Sequence, residues 1–194
     1  DLPALRWLAA LFAQAVIVRL ALNPYVLDYR LPVGTGPFNW LLWGYGVPAI
    51  AMFMAARGFQ RLGAAALTEL LRGGALVLTV LLLSLQIRHL AGPGELSAMY
   101  YSLAEQGLQA IAWLSVALVL FRLEGDGVRT PVVRWGWRIL GSLAAAQVLL
   151  LHLIVDNPMF TGVPVGDRPI VNDLLLLFAG PAALALAFSL LAER

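Results

Sequence analysis

The residues of this chain that can do chemistry gather in two places. The first is the run Gln86, Arg88, His89, Glu95, Tyr100, Tyr101, Glu105, Gln106 and Gln109; the second is His152 with Asp156 four residues on. Glu105, Arg88 and His89 are the catalytic candidates, because a carboxylate, a guanidinium and an imidazole together can move a proton or hold an anion. Arg88, His89, Tyr101, Glu105 and Gln109 are also ligand-binding candidates, joined by Asn39 and Asn172. Tyr101, Glu105 and Gln109 recur every four residues, a spacing that stacks side chains on one helix face. His89, His152 and Asp156 include metal-ligating types, but no ligand motif of fixed spacing joins them, so no metal is expected. No cofactor is expected either. The Gly34-Thr35-Gly36 turn lacks the Lys of a phosphate loop, and no Gly-x-Ser-x-Gly elbow occurs.

The elements that must carry these residues are membrane spans. Hydrophobic residues make up 61% of the 194 and charged residues 12%, against roughly 45–50% and about 25% in soluble domains. A bilayer core requires about 20 mostly apolar residues per helix. Six such runs lie near Ala4–Leu22, Phe38–Ala56, Gly73–Leu90, Ser102–Phe121, Arg138–Val155 and Asp173–Ala192. Strands would leave backbone groups unpaired in lipid, so the expected fold class is an all-α polytopic transmembrane bundle.

All 13 basic residues are Arg, and the chain has no Cys. The pI near 9.4 does not mark a nucleic-acid partner, because the arginines sort by membrane side. Nine (Arg6, Arg57, Arg61, Arg72, Arg122, Arg129, Arg134, Arg138 and Arg194) fall on one side, and four (Arg19, Arg30, Arg88 and Arg168) on the other. The positive-inside rule then expects a multi-pass protein of a bacterial inner membrane with its N-terminus cytoplasmic. Loops one, three and five face outward in that arrangement, with Asp28, Tyr29, Arg30, Asp167 and Arg168 on the outer side.

Two stretches follow one pattern. Asn23-Pro24, Pro32-Val33-Gly34, Pro37, Asn39, Leu41-Leu42 and Pro48-Ala49 recur as Asn157-Pro158, Pro164-Val165-Gly166, Pro169, Asn172, Leu174-Leu175 and Pro181-Ala182. Four expected spans separate the copies, which implies a tandem repeat of parallel orientation. Residues 1–134 would be the first four-helix unit and residues 135–194 the first half of a second. A repeat of one and a half units reads as an excerpt from a longer protein whose remaining spans are partners of this one. Each copy is expected to open with an Asn in a left-handed helix-ending conformation and to contain a Pro that frees a helix carbonyl. The bland reading is capped helix, tight loop and kinked helix; the sharper one is that the kinked helices frame an outer cavity.

Two local expectations follow. Side chains lean toward their helix N-terminus, so Arg88 and Glu105, on helices running in opposite directions, lean toward each other. That pairing reads either as a structural ion pair or as an anion or proton site. Residues 57–72 read either as an amphipathic interfacial helix or as a cytoplasmic extension of span three.

The runs Leu22-Asn23-Pro24-Tyr25, Phe38-Asn39-Trp40-Leu41-Leu42, Tyr45-Gly46-Val47-Pro48-Ala49 and Leu85-Gln86-Ile87-Arg88-His89-Leu90 resemble the large bacterial membrane proteins grouped as a domain-of-unknown-function family. The resemblance implies a longer parent with many spans and assigns no catalytic residue. Three functional classes remain open: a membrane enzyme acting on lipid-linked substrates at the outer face, a transporter or lipid-flipping domain, and a cell-envelope scaffold. Membrane lipids are the expected partners in each.

Overall fold

A computed structural model describes residues 3–26, 36–92, 96, 101–166 and 172–193. Among the described residues every regular element is helical. α1 (Pro3–Ala21) ends before a 3-10 turn at Pro24–Val26. A π stretch at Leu42–Gly46 runs directly into α2 (Val47–Arg61), and α3 (Ala65–Ala91) follows. α4 (Leu103–Gly125) leads to α5 (Pro131–Ala146), which continues as a π stretch over Gln147–Val155. The short α6 (Pro158–Thr161) precedes a third π stretch, Leu175–Ala179, which runs into α7 (Gly180–Ala192).

Six long helices thus stand where six spans were expected. Among the described residues five are long and apolar enough to cross a membrane: Ala4–Ala21, Ala65–Ala91, Leu103–Gly125, Pro131–Thr161 and Leu175–Ala192. The other, residues 42–61, is diluted by Trp43, Gly44, Tyr45, Gly46, Pro48 and two arginines. Large apolar side chains such as Trp7, Leu11, Phe12, Ile154 and Leu186 are exposed. Helices that are apolar all round meet lipid instead of water. The chain is an all-helical membrane protein.

It forms two compact units: residues 1–90 with 94–97, and residues 91–93 with 98–194. In the first, Tyr45, Met52, Leu71 and Leu78 lie in one buried cluster. Gly74 of α3 is the point of closest approach there; a Cβ would sit 2.5 Å from Ile17 Cδ1 and 2.8 Å from Met52 Sδ. In the second unit, Ala110, Leu114, Ala117, Leu140, Ala144 and Leu177 are buried. Besides Gly180, where a Cβ would lie 2.3 Å from Ile111 Cδ1, one close approach there differs in kind. A Cβ on Gly107 of α4 would lie 2.5 Å from the backbone carbon of Leu176, so only glycine lets this helix meet the third π stretch.

Two expectations are corrected. Residues 57–72 are not one amphipathic helix, because Gly63 adopts φ +70°, and the turn there separates Arg61 at the end of α2 from α3. The repeated Asn is not a left-handed helix ending, since among the described residues only glycines have positive φ. Asn157 is extended instead, and its Oδ1 caps α6 by accepting from Met159 N at 2.9 Å. With Pro158 in the first turn this is the usual way to start a helix, not end one.

Two of the three π stretches fall at matching places in the two similar sequence segments. Leu42–Gly46 and Leu175–Ala179 are 133 residues apart at both ends (175 − 42 and 179 − 46), and each lies just before a proline, Pro48 or Pro181. A further alignment appears once the helices are compared. Gln14 and Gln147, like Arg19 and His152, are 133 apart (147 − 14 and 152 − 19), whereas Asn23 and Asn157 are 134 apart. The offset between the two similar segments thus grows by one residue between His152 and Asn157. A helix bonded i to i+5 takes up an extra residue without breaking. The change of offset falls near the end of the π stretch Gln147–Val155, whereas α1 stays α-helical to Ala21.

Candidate functional site

Polar side chains are buried in both units, but they are satisfied differently. In the first, Asn39 and Gln86 exchange amide hydrogen bonds: Asn39 Nδ2 donates to Gln86 Oε1 at 3.0 Å, and Gln86 Nε2 to Asn39 Oδ1 at 3.2 Å. Their remaining capacity goes to backbone. Asn39 Nδ2 also donates to Gly36 O at 3.2 Å, Gln86 Nε2 to Pro37 O at 2.8 Å, and Asn39 Oδ1 accepts from Leu41 N at 3.0 Å. Asn39, a ligand candidate, here ties the start of the second long helix to α3. Buried Arg88 donates from Nε to Leu96 O at 3.4 Å, and His89 beside it is also buried.

Prolines in both units free carbonyls that side chains then take. Pro24 has no N–H to give the carbonyl of Leu20 four residues earlier, and Tyr45 donates its hydroxyl to that oxygen at 3.1 Å. Pro181 likewise cannot donate to Leu177, and His152 Nδ1 lies 3.1 Å from the Leu177 oxygen. A carbonyl only accepts, so Nδ1 carries the hydrogen and, in the neutral ring, Nε2 is left as an acceptor. His152 is fully buried, with its ring edge-on to Phe178 at 6.5 Å.

Around His152 the second unit gathers more acceptors. The π stretch holds Gln147 and His152 five residues apart, one turn in an i-to-i+5 helix, and so places them on one face. Gln147 Nε2 donates to Gln106 O at 3.0 Å, and Gln106 Nε2 to Asp156 Oδ2 at 3.1 Å and Tyr101 O at 3.5 Å. The start of α4 and the end of the second π stretch are thereby joined. Among the described residues of this unit, three buried atoms have no hydrogen-bond partner: Gln106 Oε1, Gln147 Oε1 and His152 Nε2. All three are acceptors. Leaving one unmet costs about 1–3 kcal/mol. With the Asp156 carboxylate they form a set that suits a donor-rich group and repels an anion. A cavity of about 620 Å³, lined by Ile111, Leu175, Leu176 and Ala179 with Asn172 and Asp173, adjoins the third π stretch, which also carries the Leu177 carbonyl.

The other candidates fall as follows. α4 begins at Leu103, with Ser102 as its cap accepting from Glu105 N at 3.1 Å. Tyr101 therefore precedes the helix and is exposed, whereas Glu105 is buried, so only Glu105 and Gln109 keep the expected four-residue stacking. The Ser102-x-x-Glu105 pattern is a capping-box signal, readable in the sequence yet missed there. Asn172 caps the third π stretch, its Oδ1 accepting from Leu174 N at 3.1 Å. Gln147 was also missed; its signal was its match to Gln14 in the other copy. Arg88 belongs to the first unit and Glu105 to the second; their pairing stands as a proposal whose test is a double-mutant cycle on the full protein. Glu95, Tyr100, Asp28, Tyr29, Arg30, Asp167 and Arg168 lie outside the described residues, as do Gly34 and Thr35.

Helices of spanning length, exposed apolar faces and polar groups turned inward define a multi-pass α-helical membrane protein. A family model described as "Predicted membrane protein (DUF2339)" matches residues 1–194, and the chain belongs to that family. No curated protein and no solved structure matches it.

Proposed function

We propose that the second unit binds the hydroxyl-bearing head of a lipid-linked molecule at the outer face of a bacterial inner membrane, as part of an enzyme acting on such substrates. The observation that carries this reading is the set of three buried, unmet acceptors on Gln106, Gln147 and His152. Hydroxyl groups supply the missing donors, while a phosphate would meet acceptors and the Asp156 carboxylate. The apolar lining beside Asn172 and Asp173 supports it by offering room for a hydrocarbon chain. The arginine asymmetry supports a cytoplasmic N-terminus, which turns this end of α4 outward. In the same proposal, the two repeated segments belong to a parallel tandem repeat.

A transporter or lipid-flipping domain is the second reading. Interrupted helices at corresponding positions of two segments favour it, because such breaks mark substrate sites in carriers. An acceptor set with one carboxylate also suits a monovalent cation.

The test is thermal melting of the full-length protein in a sugar-free detergent, with a polyprenyl-linked saccharide or sodium added. The saccharide should raise the melting temperature of the wild type but not of His152→Phe or Gln106→Leu. An equal rise in wild type and variants removes the site. A rise with sodium alone replaces the enzyme reading with the carrier.

A further inference from the structure

At the other end of α4 and α5 lies a second site of opposite character. A cavity of about 500 Å³ is lined by Arg129, Arg134 and Arg138, with Glu124 and the rings of Phe121 and Trp137. The lining carries three arginines against one carboxylate, a net +2 (3 − 1). That carboxylate is already committed, because Glu124 accepts from Trp137 Nε1 and from Arg138 Nη1. Arg138 is committed as well: its guanidinium lies 4.5 Å from the centre of the Trp137 ring, and it also donates to Arg134 O. Arg129 and Arg134 are exposed and have no ion pair among the described residues. The neighbouring Arg122 is paired with Asp126 at 3.2 Å.

Position decides what these two guanidinium groups meet. One candidate span ends at Gly125 and the next begins at Pro131, so the cavity sits at the level where a spanning helix leaves the hydrocarbon. Aromatic rings gather at that depth, and Trp135, 60% exposed, lies alongside. The amino terminus of α5, capped by Thr130, adds the positive end of its helix dipole. Arginine forks, aromatic walls and a helix amino terminus at headgroup depth form a phosphate site open to the bilayer.

We propose that Arg129 and Arg134 hold the phosphate of an anionic phospholipid, with Phe121 and Trp137 packed against its glycerol and upper chain. The first unit shows why the count of arginines alone does not make such a site. Arg72 there is bound to Glu69 at 2.6 Å and to Gln60 at 2.7 Å, and Arg57 lies over the Phe53 ring at 4.6 Å.

The experiment titrates short-chain phosphatidylglycerol into the purified full-length protein in a neutral detergent and reads the dissociation constant from thermal shifts. Short-chain phosphatidylcholine and inorganic phosphate are the comparison ligands. Each of Arg129→Gln and Arg134→Gln should weaken phosphatidylglycerol about fivefold, the worth of one arginine near an anionic headgroup. Both side chains are exposed, so these variants should fold. Arg57→Gln, which removes a charge elsewhere, should leave binding unchanged. The proposal is overturned if the variants bind like wild type, if Arg57→Gln weakens binding as much, or if phosphatidylcholine binds equally. Inorganic phosphate competing at the same strength as the lipid would replace a lipid site with a free-phosphate one.

Discussion

The two repeated segments, 23–48 and 157–181, use the same backbone devices and end in different chemistry. Each has an Asn whose side-chain oxygen caps the following helix, Asn39 to Leu41 N at 3.0 Å and Asn172 to Leu174 N at 3.1 Å. Each then has a five-residue π stretch and a proline. In the first segment Asn39 is paired with Gln86 and the Leu20 carbonyl with Tyr45. In the second, His152 takes the Leu177 carbonyl and leaves its other nitrogen unmet. A fully paired polar group builds structure, whereas an unpaired one stores a cost that a ligand can relieve. The difference directs the search for function to the second copy.

The largest effect expected from this contrast concerns the two close-packed glycines. Gly107→Ala drives a methyl into the Leu176 backbone, which cannot move aside, while Gly74→Ala meets only the flexible ends of Ile17 and Met52. Overpacking against backbone should cost Gly107→Ala about 2–3 kcal/mol even after the helix-propensity gain. Gly74→Ala should stay within about 1 kcal/mol of wild type. Melting of both variants of the full protein in detergent measures this. If Gly74→Ala proves the more damaging, the second unit is less tightly joined than its geometry implies.

An intermediate effect separates the two asparagines. Asn39→Ala removes the partner of Gln86 Oε1 and one of the two acceptors of its Nε2 in a partly buried place, and should cost about 1–3 kcal/mol. Asn172→Ala removes only a cap and should cost about 1 kcal/mol. The same melting series decides it, and Gln86→Leu added to Asn39→Ala should restore part of the loss. Equal losses at both positions would mean that Asn172 has a partner beyond its cap.

How much of this was legible in the chain depends on how local each signal is. The membrane class needed only composition, and five apolar helices followed from run length. The Asn-to-Pro spacing marks the two stretches that take up π geometry, Leu42–Gly46 and Leu175–Ala179, each just before its proline. Of the two readings of 57–72, the single interfacial helix failed at Gly63, where one positive φ outweighed the amphipathic pattern, while α3 does extend span three back to Ala65. The polar run from Gln86 to Gln109 contained Gln106 but not its partners. Gln147 and Asp156 lie 41 and 50 residues away, and only folding brings them to it. The one-residue difference between the two segments, near the end of the π stretch that carries Gln147 and His152, was visible only as a change in offset from 133 (152 − 19) to 134 (157 − 23).

The smallest expected effect on stability is also the most informative. Tyr45 and His152 each donate to a carbonyl that a proline has freed, at 3.1 Å in both cases. Tyr45→Phe should therefore lose about 1 kcal/mol, the net worth of one buried hydrogen bond, and gain nothing in return. His152→Phe loses the same donor but also removes the unmet Nε2, so the two changes offset and its melting should lie close to wild type. Ligand response should show the reverse order, intact in Tyr45→Phe and absent in His152→Phe. A His152→Phe protein that melts well below Tyr45→Phe would mean that Nε2 is satisfied in the folded protein, and the acceptor site would lose its central member.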